Sequence, residues 1–128
     1  MKVVLDTSGY SALLRGDLGI SEVLQTALQV LVPVVVLGEL HSGFLLGSRR
    51  ADNERLLGEF LDRPSVLVVD VTHETARRYA EIDVYLRRMG KPIPRNDVWI
   101  AAITMEHGAT LLTHDAHFRE LPLLMILP

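Results

Sequence analysis

Short, wholly apolar runs alternate along the chain with longer stretches whose apolar residues recur every three or four positions. The short runs predict strands covered on both faces, and the longer ones predict amphipathic helices. Val3 to Leu5 is the first strand. After Asp6-Thr7-Ser8, the residues Tyr10, Leu13 and Leu14 predict a helix closed by Gly16. Ser21 or Asp17 caps a second helix carrying Val23, Leu24, Ala27 and Leu28. Val30 to Val36 reads as the second strand. Pro33 within it demands an edge, a bulge or a start at Pro33 itself. Leu37, Leu40, Phe44 and Leu45 predict a third helix to about Gly47, and Ala51 to Leu61 a fourth. Val66 to Val69 is a third strand, and Thr72 to Met89 a long helix. The loop Gly90-Lys91-Pro92-Ile93-Pro94 precedes a helix from Asp97 to His107, which Gly108 stops. Thr110 to Thr113 and Leu124 to Leu127 complete five strands.

Strands alternating with helices predict a three-layer α/β/α fold around a parallel sheet, one domain spanning residues 1–128. Ligands of such sheets bind at the carboxyl ends of the strands. Asp6 directly follows the first strand, and Glu39 falls in the first turn of the helix after the second. Asp97 opens the helix leading into the fourth strand, and Asp115 comes just after that strand. A helix entering a parallel strand starts at the carboxyl edge, so all four acids can converge there. Converged carboxylates repel one another unless a hard dication such as Mg²⁺ or Mn²⁺ sits among them. Such an ion neutralises phosphate oxygen, acidifies water and orients attack, which is the chemistry of phosphodiester cleavage. Each acid also has a simpler role. Asp6, Asp97 and Asp115 suit helix or turn caps, and Glu39 suits a helix dipole. Their common placement relative to the strands favours the shared site. Thr7, Ser8, Thr113 and Asn96 adjoin these acids; their polar groups suit either orientation of a carboxylate or capping, and capping is favoured for Ser8.

Composition narrows the choice. With 13 basic and 16 acidic residues the net charge is −3, which neither advertises nor forbids a nucleic-acid substrate, because a dication inverts the local field. The chain has no cysteine, so disulfides, thiolate metal sites and cysteine nucleophiles are excluded. His114-Asp115-Ala116-His117 fits no zinc spacing, and His41, His73 and His107 stand alone. His117 remains a candidate to touch phosphate or carry a proton. Ser8 and Ser11 lack the Gly-x-Ser-x-Gly elbow of a serine nucleophile. No run reaches membrane-span length and the first apolar run is too short for a signal peptide, so a soluble cytoplasmic protein is expected.

Val4-Leu5-Asp6-Thr7-Ser8, Glu39 with Gly43, Asn96-Asp97-Val98-Trp99-Ile100-Ala101-Ala102, and Leu112-Thr113-His114-Asp115-Ala116-His117-Phe118 follow one another in an order and spacing that resembles the PIN domain. Within that family they resemble the VapC-type toxins of toxin–antitoxin pairs. The resemblance covers nearly the whole chain. It implies a Mg²⁺- or Mn²⁺-dependent endoribonuclease in which Asp6, Glu39, Asp97 and Asp115 form the acidic cluster holding the metal. Thr7 and Thr113 would support them. It also implies an RNA substrate, a homodimer, and a cognate antitoxin that obstructs the acidic pocket, with an Arg or Lys standing in for the cation. Ser8 departs from the Asn common at this place, which puts contacts around the cluster in question and leaves the cluster itself.

Arg87, Arg88, Lys91 and Arg95 form a basic group before Asp97 that can hold RNA phosphates, or can simply be a solvated helix end. Arg49 and Arg50 are a weaker second group. Aromatic residues make up 5 %, too few for extensive base stacking. Runs such as Phe44-Leu45-Leu46 and Leu56-Leu57 supply core, a dimer face or an antitoxin groove. Four other functions compete. A phosphatase with an aspartate nucleophile wants a second Asp where Ser8 stands, and a receiver domain wants an acidic pair and a lysine that are absent. A non-catalytic RNA-binding or interaction module has no use for four carboxylates beside phosphate. An RNA-processing nuclease without an antitoxin is the nearest alternative.

Overall fold

Val3, Val4 and Leu5 are all buried, as a central strand covered on both faces must be. They belong to β1 (Lys2–Leu5) of a computed structural model that describes residues 1–127. The remaining elements are α1 (Thr7–Leu14), α2 (Leu18–Thr26), β2 (Gln29–Pro33), α3 (Val34–Leu46), α4 (Arg50–Leu61), β3 (Val66–Val69) and α5 (His73–Arg88). Then come α6 (Arg95–Glu106), β4 (Thr110–Leu112), a 3-10 turn (Ala116–Glu120) and β5 (Ile126–Leu127). The five strands pair in parallel in the order β3-β2-β1-β4-β5.

That order decides where helices lie. From β1 the chain steps outward to β2 and β3, then crosses back to β4 on the other side of β1. Right-handed crossovers running in opposite directions place their helices on opposite faces, giving three layers. α1 to α4 fill one face, and α5 and α6 pack together on the other. α3 touches both α1 and α6. The direction of travel reverses between β1 and β4, so the crevice at their carboxyl ends is the switch point of the sheet.

Local chemistry sets the boundaries. Gly16 (φ 86) and Gly108 (φ 60) take the left-handed conformation just past α1 and α6, which L side chains resist. Asp17, not Ser21, caps α2, accepting from Ile20 N–H. Thr72 caps α5 in a reciprocal pair with Thr75, and both hydroxyls reach Glu106 on α6.

Several expected boundaries move. The second strand does not run from Val30 to Val36, nor does it begin at Pro33; it ends there. Pro33 has no N–H to offer a ladder, and its φ of −63° suits the residue that precedes a helix. Val34 to Val36 therefore form the first turn of α3, with Val36 fully buried against the sheet. Packing has overridden β-branched propensity. Glu39 consequently stands in the second turn of α3 and owes nothing to the first-turn dipole. The last strand is also shorter than expected, because only Ile126 and Leu127 pair with β4. No helix among the described residues is long and apolar enough to cross a membrane.

Candidate active site

Asp6 leaves β1 and turns back to cap α1, its Oδ1 accepting from Gly9 N–H at 2.7 Å. Glycine at residue 9 lets the start of α1 lie this close to the ends of β1 and β4. A Cβ there would meet Leu112 carbonyl oxygen at 2.5 Å and Leu5 Cδ1 at 2.8 Å. Leu5 lies beside Leu112 in the ladder, so the residues that follow them, Asp6 and Thr113, meet at the strand ends. Thr113 donates its hydroxyl to Asp6 Oδ2 and accepts from Asp115 N–H at 2.9 Å. Ser8 donates to Asp6 at 2.9 Å and accepts from His114 N–H at 3.0 Å. Ser8 is thus a tie between the exits of β1 and β4 and not a cap; Asp6 takes that role.

Asp97 is delivered by α6. The helix begins at Arg95 after Pro94, so Asp97 is its third residue and not its first. No side chain caps this end, and a carboxylate in the first turn answers its exposed N–H groups. Asp115 caps the 3-10 turn through His117 N–H at 2.9 Å, which folds His117 back over the acids. His117 Nδ1 lies 3.2 Å from Asp97 Oδ2 and 3.0 Å from Asp115 Oδ1. One donor atom from each of Asp97, Asp115 and His117 lies within 4.8 Å of the others. Glu39 reaches the same cleft from α3, held by Thr7, whose hydroxyl donates to Oε1 at 2.8 Å. Asn96 and Arg95 complete its wall.

The cleft is costly in charge. Burial pushes the Asp97 carboxyl up to about 6; Asp115 and, less, Glu39 push the same way, and His117 opposes them. Burial also raises Asp6, with Asp115 adding to it, against hydrogen bonds from Thr113, Gly9 and Ser8 that favour its ionised form. Carboxylates at this spacing gain from a cation. The donors are hard oxygens with one imidazole nitrogen and no thiolate, a set that fits a hard or borderline divalent ion.

The structure therefore gathers Glu39, Asp97 and Asp115 around one cleft, with Asp6 buried next to Asp115. Thr7, Thr113 and Asn96 sit beside them as described. The basic residues disperse. Arg95 lines the cleft, whereas Arg87 pairs with Asp83 at 2.9 Å and Lys91 with Glu120 at 3.4 Å. Arg88 lines a separate groove with Val84, Tyr85 and Met89. Arg50 pairs with Glu54 along α4. Gly9 and the bond between His114 and Asp17 at 3.0 Å escaped the reading of the sequence. For Gly9 a signal existed: glycine inside a helix, three residues past a cap, is unfavourable unless something needs the space.

The chain is similar to known proteins in sequence and in fold. Ribonuclease VapC4 of Mycobacterium tuberculosis is 31% identical over 91 residues, covering 71% of this chain and 70% of that protein. Ribonuclease VapC5 of the same organism is 29% identical over 121 residues, covering 92% and 86%. Among solved structures, VapBC-5 from M. tuberculosis, a member of the VapBC family of toxin–antitoxin systems, superposes with a TM-score of 0.77 at 28% identity, covering 98% of this chain and 95% of that one. VapBC-1 from nontypeable Haemophilus influenzae shares the fold, with a TM-score of 0.88 at 23% identity over 99% of this chain and 97% of that one. The model of the PIN domain matches residues 3–124, a span that takes in all five strands but the last and every acid of the cleft; the chain belongs to the PIN domain family.

Proposed function

We propose that this protein is a metal-dependent endoribonuclease and the toxin of a toxin–antitoxin pair. The observation that carries the reading is the meeting of Asp97 and Asp115 with Glu39 and Asp6 at the switch point of the sheet. The similarity to VapC ribonucleases and to VapBC-5, a member of the VapBC family of toxin–antitoxin systems, supports the same conclusion. Asp97 and Asp115 would hold the ion, Mg²⁺ or Mn²⁺, with Glu39 and Asp6 completing the acidic set. The chemistry such an ion supplies is neutralisation of phosphate charge and acidification of water.

The protein's own residues prepare that chemistry. Thr113 and Ser8 fix the Asp6 carboxylate by donating to it, and Thr7 fixes Glu39. Asn96 and Arg95, which line the cleft, would hold RNA phosphate. A second copy of the chain and a cognate antitoxin are the partners this function calls for. Leu18, Leu45 and Leu46 on α2 and α3 are 76%, 61% and 90% exposed, apolar surface that a partner chain would cover.

Incubation with total cellular RNA, with and without EDTA, followed by mapping of new 5′ ends, tests the enzyme. Discrete cuts that vanish with EDTA are expected, and cuts indifferent to EDTA would overturn metal dependence. Growth arrest on expression, relieved by co-expressing a small neighbouring gene, tests the toxin; arrest that no neighbouring gene relieves would sink that half.

A further inference from the structure

His117 is not one of the four acids, yet its ring lies within hydrogen-bond distance of both the Asp97 and the Asp115 carboxylate. Its side chain is 54% exposed, so packing does not hold it there. Two features do. The 3-10 turn capped by Asp115 returns residue 117 over the cap, and the carboxylates attract the ring. The spacing is informative. Neighbouring donors in an octahedral shell with metal–ligand distances near 2.1 Å stand about 3 Å apart. Nδ1 lies 3.2 Å from Asp97 Oδ2 and 3.0 Å from Asp115 Oδ1. Both separations from Nδ1 match the spacing of neighbouring donors in such a shell.

We propose that His117 donates Nδ1 to the ion held by Asp97 and Asp115, and that this nitrogen gives the site a preference for Mn²⁺ over Mg²⁺. The proposal rests on reading the acidic cleft as a dication site. Mg²⁺ is a hard ion that keeps oxygen ligands and several waters. Mn²⁺ shares the preference of Mg²⁺ for carboxylate and water, but it is the softer of the two and accepts an imidazole nitrogen more readily. A cleft built from the acids alone would not favour Mn²⁺ in this way. The opposite arrangement is also definite: an imidazole that merely stands in for the cation would leave when the ion enters, and its removal would tighten binding.

The test is metal binding to the intact protein at pH 8, without RNA. Calorimetric titration with MnCl₂ and with MgCl₂ is compared for wild type and His117→Ala. Wild type is expected to bind Mn²⁺ more tightly than Mg²⁺. The variant is expected to lose about tenfold or more in Mn²⁺ affinity, with far less change for Mg²⁺. Spin-echo spectroscopy of the wild-type Mn²⁺ complex should show coupling to a histidine nitrogen that disappears in the variant. Mn²⁺ binding without nitrogen coupling, or equal or tighter Mn²⁺ binding by the variant, overturns the role of His117 and leaves the acidic site standing. Failure of wild type to bind either ion overturns both readings.

Discussion

Asp97 is the acid of the cleft whose charge the fold opposes most clearly. Its carboxyl is pushed up to about 6 by burial and by Asp115, from an ordinary 3.8. Between those values the folded protein keeps a proton that the unfolded chain has released. Stability of the metal-free protein should therefore fall as pH rises from about 4 to about 6 and stay low above. Asp6 is raised as well and adds a loss of the same sign. Asp97→Asn should abolish RNA cleavage while flattening this fall, so that metal-free melting temperature at pH 8 equals or exceeds that of wild type. Melting curves from pH 4 to 8 check the stability and a fluorogenic RNA checks the activity; a variant that cleaves at the wild-type rate would remove Asp97 from the mechanism. Gly9 shows a different constraint. Its Cβ would press on Leu112 carbonyl oxygen, which is backbone and cannot swing away. Gly9→Ala is expected to lose about 1–3 kcal/mol in urea unfolding, and to lower cleavage by parting Asp6 from Thr113.

Elements place these residues through their ends. β1 and β4 stop one residue short of Asp6 and Thr113, and α6 begins two residues before Asp97. The 3-10 turn carries Asp115 at its start and is anchored by Phe118, which is fully buried. That anchor makes a prediction at this scale. Phe118→Ala should destabilise the fold by about 3–5 kcal/mol. In conditions where it remains folded, it should weaken metal binding more than Asn96→Ala does, because the turn bearing Asp115 and His117 loses its footing. Calorimetry at low temperature would decide, and unchanged metal affinity would show that the cap at Asp115 suffices alone. The boundary between β2 and α3 had a comparable effect on Glu39. Ending the strand at Pro33 advanced the helix by a turn and let Thr7 meet Glu39.

The whole molecule brings together what the elements only aim. The strand order β3-β2-β1-β4-β5 puts the exits of β1 and β4 side by side, and the contacts of α3 with α1 and α6 close the cleft around them. An ion bound there interacts with the folded state alone, since the unfolded chain has no converged acids. Saturating Mg²⁺ or Mn²⁺ should raise stability, by about 2.7 kcal/mol at a concentration 100 times Kd, and should remove most of the loss above pH 6. A thermal shift assay with and without EDTA measures this. No shift at millimolar metal would argue against a preformed site.

Much of this was legible along the chain. Apolar runs and helical spacing marked the five strands and the six α-helices, though not the 3-10 turn, because central strands exclude polar residues and helix ends need special backbone. The positions of Asp6, Asp97 and Asp115 relative to those elements made convergence foreseeable, as the direction of a parallel crossover is nearly invariant. Contacts between residues far apart in sequence were not. Val34 to Val36 carry the chemistry of a strand, and only burial against the sheet made them a helix. Arg87, Arg88, Lys91 and Arg95 look like one basic group in sequence, yet the turn after α5 leaves only Arg95 on the cleft. Ser8 bridging two strand ends, Thr7 holding Glu39 and His117 folding over two acids each depend on distances in space, and residue order specifies no distance until the core has packed.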